Sequence, residues 1–302
     1  MCGIVGLYFK NPELESSLGG MLADMLVQMT DRGPDSAGVA IYHNPVADSA
    51  IKITLQSADD VLWDTTRSTL QKGLEVDFTL TPLANHAVLI AEATDPSAAM
   101  SLAAKVDDLL PDVRITSIGS AIEIYKEKGL PELVIDRFHL RAMQGSHALG
   151  HTRMATESAV TTEHSHPFST GRDLCLVHNG SLSNHNLWRE KLKREGIRFQ
   201  TDNDSEVAAG YLTWRLGQGA NLRESLEAAI RDLDGFYTFA IGTREGFAVL
   251  RDPIACKPAV LAETDDWVAM SSEYRAIAQL PGSENARLWE PDPATIYSWE
   301  RN

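Results

Sequence analysis

Apolar residues along this chain follow two periods. Ile4-Val5-Gly6-Leu7-Tyr8-Phe9 is an unbroken apolar run, of the length of a strand buried on both faces. Asn11-Pro12 then offers a cap and a first-turn proline for a helix. In that helix Leu14, Leu18, Met21, Leu22, Met25 and Met29 share one face, a methionine stripe that reads as core packing. Val39-Ala40-Ile41-Tyr42 is a second strand, and strand-like runs recur at 147–150, 174–178, 236–241, 246–250, 259–262 and 267–271. Asp204 to Leu216 and Asn221 to Leu233 carry the helical period; the second has Asn221 as its N-cap and Leu222, Leu226, Ala229, Ile230 and Leu233 on one face. Many strands and a few helices predict an α+β fold with helices packed over antiparallel sheets.

The stretch between Gly38 and His151 reads differently, and no catalytic cluster stands out in it. His86 to Ala91 predicts a strand and Pro96 to Leu110 a helix with Ala99, Leu102, Ala103, Val106 and Leu110 on one side. Val113 to Ile118 predicts another strand, and Ile122 to Lys128 a short helix. Together they suggest a small βαβ insert with its own core, at about residues 65–140.

Composition narrows the function classes. At 302 residues and 43% hydrophobic, the chain suits one large domain or two small ones. No apolar run reaches the ~18 residues of a membrane-spanning helix, and the start lacks the basic and apolar regions of a secretory signal. A net charge of −15 disfavours nucleic acid and anionic membranes. Cys2, Cys175 and Cys256 are too scattered for a disulfide framework or a paired-cysteine metal site, so a cytoplasmic location is expected.

Candidate chemistry begins at Met1-Cys2-Gly3. Methionine removal would put a thiol and a free α-amine on one residue. The amine titrates at about 8 and the thiol at about 8.5, so Cys2 could supply both nucleophile and base. Five short stretches follow, each with a plainer alternative. Asp31-Arg32-Gly33-Pro34-Asp35-Ser36-Ala37-Gly38 is a tight turn, ordinary by itself. Gly150-His151-Thr152-Arg153-Met154-Ala155-Thr156 ends a strand, where Arg153 either holds a carboxylate or is a surface charge. His164-Ser165-His166-Pro167-Phe168 pairs two histidines without a familiar metal partner. Leu176-Val177-His178-Asn179-Gly180 is either a hairpin turn or an oxyanion hole. Thr201-Asp202-Asn203-Asp204-Ser205-Glu206-Val207 contains either a site carboxylate or a helix cap.

In this order, with Asp234-Gly235-Phe236-Tyr237-Thr238-Phe239-Ala240, Arg251-Asp252-Pro253 and Ser271-Ser272-Glu273 behind them, the stretches resemble the class II glutamine amidotransferases. The resemblance runs from Cys2 to roughly Ala278, apart from the insert. It implies the Ntn-hydrolase fold, a four-layer αββα sandwich, over residues 2–302 with the inserted small α/β subdomain. It also implies roles: Cys2 as nucleophile with its own amine as base, and Asn179 with Gly180 as oxyanion hole. Arg153, with Thr156 beside it, would hold the substrate α-carboxylate and Asp204 its α-ammonium. Arg32 would organise the wall around the nucleophile, and His166 would line the glutamine pocket.

Two features depart from the pattern. Met154 stands where relatives often carry an aromatic residue. The chain ends at Asn302, which leaves no room for an acceptor domain, so the expected product is ammonia handed to a partner. The insert and the stretch Ser117 to Lys126 resemble stand-alone glutaminase subunits of split glutamate synthases and of N-methylglutamate synthase, whose partner subunits carry the flavin and the acceptor chemistry. No Gly-rich dinucleotide fingerprint occurs, so no cofactor and no metal are expected in this chain. An amide hydrolase of another substrate and a catalytically silent regulatory subunit are the competing readings. The pairing of Arg153 with Asp204 favours a free α-amino acid over the first, and the intact Cys2, Asn179 and Gly180 speak against the second.

Overall fold

A computed structural model describes residues 2–58, 62–93, 95–155 and 160–301. In chain order, β1 (Gly3–Phe9) leads through a 3-10 turn to α1 (Leu18–Val27), β2 (Ser36–Tyr42) and β3 (Ala50–Ser57). Next come α2 (Trp63–Gly73), β4 (Phe78–Leu83), β5 (His86–Glu92), α3 (Pro96–Leu109), β6 (Val113–Gly119) and β7 (Ile122–Lys128). Then follow α4 (Pro131–Arg137), β8 (His147–Arg153), β9 (Phe168–Gly171), β10 (Leu174–Leu182), α5 (His185–Arg194), α6 (Asp204–Gly217) and α7 (Leu222–Asp232). The last elements are β11 (Gly235–Gly242), β12 (Gly246–Arg251), β13 (Val260–Glu263), β14 (Trp267–Ser271), α8 (Tyr274–Ile277), β15 (Arg287–Trp289) and β16 (Ile296–Glu300).

Among the described residues three antiparallel sheets form, of seven strands (β15-β13-β14-β1-β8-β2-β7), five strands (β16-β12-β11-β10-β9) and four strands (β4-β5-β3-β6). Strand alternation assigns each face. Along β1, Val5, Leu7 and Phe9 join α1, α4 and α8 in one core. Ile4 and Tyr8, of the opposite parity, join Cys175 and Val177 of β10 and Phe247 and Val249 of β12 in another. That second core lies between the seven- and five-stranded sheets. Beyond it, Leu176 and Phe239 pack with Trp188 of α5, Tyr211 of α6 and Leu226 of α7. The two main sheets are therefore covered on both sides, which explains why their strands read as apolar runs rather than as alternation.

The four-stranded sheet has its own core with Trp63 and Leu70 of α2 and Ala99, Ala103 and Val106 of α3. Both β5 and β6 run antiparallel to β3, which lies between them, so they are parallel to each other and α3 is their crossover. On its other side this sheet meets β7, where Lys52 Nζ lies 3.0 Å from Glu123 Oε1.

One expected helix is a strand. Ile122–Lys128 pairs with β2 from Ser36↔Lys128 to Tyr42↔Ile122. Ile122 and Ile124 face the core between the sheets while Tyr125 faces the α1 side, a period of two rather than 3.6. Its charged residues suggested a helix surface, and pairing with β2 overrides that local preference. The expected Asn221 cap is present in full: Glu224 N donates to Asn221 Oδ1 and Asn221 N to Glu224 Oε2.

Candidate active site

Cys2 is half-buried at the entry of β1. Its main-chain carbonyl accepts from Arg32 Nε at 3.0 Å and from Asn179 Nδ2 at 3.2 Å. Its Sγ lies 3.9 Å from the Met154 carbonyl. Arg32 is held in turn by Glu273, Nη1 to Oε1 at 2.7 Å, and Glu273 also takes Arg275 Nε at 2.8 Å. Two residues further on, in β1, Ile4 N donates to Ser272 Oγ at 2.9 Å. The start of the chain is thus gripped from the first turn, from β10 and from the end of β14.

The turn after α1 wraps the end of β8. Asp35 N donates to the Arg153 carbonyl at 3.1 Å, and Ala155 N donates to Asp35 Oδ2 at 2.8 Å. Gly33 is needed because a Cβ there would lie 2.4–2.5 Å from the backbone of Thr152 and Arg153. Arg153 sits opposite Ser36 in this pairing and is only 5% exposed, so it is not a surface charge. Thr156 lies outside the described residues.

Asn179 and Gly180 do not make a hairpin turn. They lie within β10, paired with Thr238 and Tyr237 of β11. Gly180 has φ +151°, and a Cβ there would meet the Phe236 carbonyl at 2.0 Å, so only glycine fits.

Behind these residues three buried histidines converge. His151 Nε2–H donates to the His178 carbonyl at 3.0 Å and its ring stacks on His166 at 4.0 Å between centroids. Ser205 Oγ lies 2.8 Å from both His166 Nε2 and His178 Nδ1. A hydroxyl has one proton, so at least one of these imidazoles donates to it. Burial lowers all three histidines from their usual range, His151 to about 3. The charge of Arg153 lowers His151 and His166 further, while the Asp204 carboxylate opposes the shift at His178. The cluster is therefore neutral near pH 7, with Arg153 on one flank and Asp204 on the other.

Asp204 does not cap α6. Asn203 does, its side chain accepting from Ser205 N. Asp204 Oδ2 instead accepts from Leu182 N at 2.9 Å, which ties it to the end of β10 just beyond Gly180. His164 and His166 turn to different partners: His164 Nε2 lies 2.9 Å from Asp202 Oδ1 at the surface, while His166 faces inward. Among the described residues no group of three or more histidines, cysteines or acids could hold a metal ion, and no helix is long and apolar enough to cross a membrane.

Residues 151–279 match the glutamine amidotransferase domain family. The glutamine amidotransferase-like protein GlxB of Rhizobium meliloti is 55% identical over 303 residues, covering 99% of this chain and 98% of its own. The chain belongs to the class II glutamine amidotransferases. Two solved structures share its fold. The allosteric regulatory enzyme of purine biosynthesis superposes with a TM-score of 0.63 at 19% identity over 99% of this chain. The glutamine phosphoribosylpyrophosphate amidotransferase of B. subtilis gives 0.60 at 18% identity, again over 99% of this chain. This amidotransferase spans about half the length of those two chains, 47% and 49%.

Several site residues had no role from sequence. Asp35, His151, His178, Ser205 and Glu273 all lie inside the motifs, but their contacts are long-range. Lys126 and Glu127 lie in the stretch read as chemically silent, yet both touch the loop that carries His166. Lys126 ends the stretch that carried the subunit resemblance, but nothing in the sequence gave either residue a role.

Proposed function

We propose that this amidotransferase hydrolyses L-glutamine to glutamate and ammonia through a thioester on Cys2. Met1 is removed, and the Cys2 amine takes the thiol proton as sulfur attacks the amide carbon. The oxyanion forms between Asn179 Nδ2 and the Gly180 N–H. The C–N bond then breaks, the ammonium of Cys2 returns the proton to the leaving nitrogen, and ammonia departs. Water cleaves the thioester to glutamate and restores the thiol. Arg153, with Thr156, holds the substrate α-carboxylate and Asp204 its α-ammonium. Arg32 steadies the wall around Cys2, and His166 lines the pocket.

The observation that carries this reading is the double grip of Arg32 and Asn179 on the Cys2 carbonyl. It places the thiol-bearing residue beside an amide donor, as oxyanion stabilisation requires. We read residues 2–302 as one type-2 domain, its two covered sheets as the four-layer αββα sandwich of N-terminal nucleophile hydrolases, and the four-stranded sheet with α2 and α3 as its insert. The ammonia passes to a synthase subunit of the glutamate synthase or N-methylglutamate synthase type.

Intact mass together with a glutamate-release assay on the same sample tests the proposal. Loss of Met1 with glutamine-dependent glutamate release is expected. A processed, folded chain that releases no glutamate, alone or with its native partner subunits, would leave the silent-subunit reading in its place.

A further inference from the structure

Lys126 is a lysine in a core. It stands on β7 with the same parity as Ile122 and Ile124 and is 6% exposed. Among the described residues no carboxylate pairs with it within salt-bridge distance. The carboxylates of Glu206 and, more weakly, Glu163 favour the ammonium from a distance, and the Glu206 oxygens are taken by Gln200 N, Thr201 N and Thr201 Oγ1. The ammonium instead donates to three main-chain carbonyls of one loop: Ser165 at 2.9 Å, Glu163 at 3.3 Å and Pro167 at 3.4 Å. Nζ also lies 4.8 Å from the centre of the Phe168 ring. Burial lowers its pKa to about 8, the sign of a cation placed where solvation is poor. A packed apolar side chain would avoid that desolvation cost.

The loop so held is the one that carries His166. Glu127, the next residue on β7, accepts from Thr162 Oγ1 at the start of the loop and from Asn85 Nδ2 at the edge of the four-stranded sheet. Gly38 makes room for it: a Cβ there would lie 2.2 Å from the His166 carbonyl.

Building on the glutaminase reading, we propose that Lys126 is a positioning residue of the glutamine site, holding the Glu163–Pro167 main chain so that His166 stays against Ser205. Its effect on the substrate runs through His166 and not through contact of its own.

The test uses the full chain. Lys126→Met keeps length and apolar stem but loses the three donors. KM for glutamine should rise about tenfold with kcat within about threefold, the pattern of lost binding rather than lost chemistry. Lys126→Arg, which can still donate to carbonyls, should recover much of that loss. In a His166→Ala background, Lys126→Met should add less than about twofold, because both changes remove one effect. A lowered melting temperature with unchanged KM, or full additivity with His166→Ala, would overturn the proposal. If Lys126→Met does not fold, Lys126→Gln, an uncharged and shorter donor, takes its place in the same comparison, with Lys126→Arg again as the variant that recovers. A wild type that releases no glutamate sinks the glutaminase reading alone. Lys126 is then judged by the His166 ring resonances, which should shift in Lys126→Met and return toward their wild-type positions in Lys126→Arg while those of His147 stay. Unmoved His166 signals would end the proposal independently.

Discussion

The side-chain amide of Asn179 donates to the main-chain carbonyl of Cys2 at 3.2 Å, across 177 positions of sequence. An asparagine amide has two N–H groups, so one can fix the Cys2 peptide while the other serves a second acceptor. Arg32 Nε shares the same carbonyl, so Cys2 keeps one anchor if Asn179 is lost.

Removing the proposed nucleophile tests the reading most directly. Cys2→Ala, or a chain that retains Met1, should release no glutamate, since the first lacks the thiol and the second has an amide where the base should be. Calorimetry should still find glutamine bound to Cys2→Ala. Undiminished hydrolysis by either form would sink the mechanism.

Asn179→Ala should lower kcat by roughly 10²–10³-fold, as for loss of one oxyanion donor, with little change in KM. The steady-state constants decide this. A change confined to KM would make Asn179 a ladder residue of β10 only.

Arg153→Ala and Asp204→Ala should each raise KM at least about tenfold, since charge-assisted contacts to the two ends of a free amino acid act in ground and transition state alike. N-acetylglutamine lacks the ammonium and should be a poor substrate of the wild type. Discrimination against it should shrink in Asp204→Ala. Equal turnover of the two substrates by wild type would demote Asp204 to a support for Leu182 N and favour a different amide substrate.

Gly180→Ala should destabilise the fold by about 2 kcal/mol or more, because its left-handed backbone and the Phe236 carbonyl leave no place for a Cβ. Urea midpoints measure this. An unchanged midpoint would show that the strand can shift there.

Stability should fall in mild acid. His86, His147 and His151 are lowered to about 3, about 4 and about 3, chiefly by burial. The unfolded chain takes up these protons near 6.5 and the folded chain does not. The contribution is therefore complete above about pH 6.5 and is lost as pH falls toward the folded values, at up to about 1.4 kcal/mol per unit for each histidine. Glu123, held down to about 2 by His43, Lys52 and Tyr125 against its own burial, adds loss of the same sign below its unfolded value. Urea midpoints at pH 7.5 and 5.5 should differ clearly, and equal midpoints would refute the assignment of neutral buried imidazoles.

What the sequence determined by itself was local. The apolar stripe of α1, the Asn221 capping box and the strand Trp267–Ser271 follow from period and neighbouring polar groups, forces that act within one element. The order of the motifs was equally legible and identified the family. Pairing was not. Asn179-Gly180 is a turn signal that β11 extends into a strand, and Ile122–Lys128 a helix-like run that β2 makes a strand. Only the tertiary structure set Arg32 against Glu273, Ser205 between two imidazoles, and Lys126 under the loop of His166. Their hydrogen bonds join elements far apart in the chain, and a buried polar group finds its partner only after the sheets have packed.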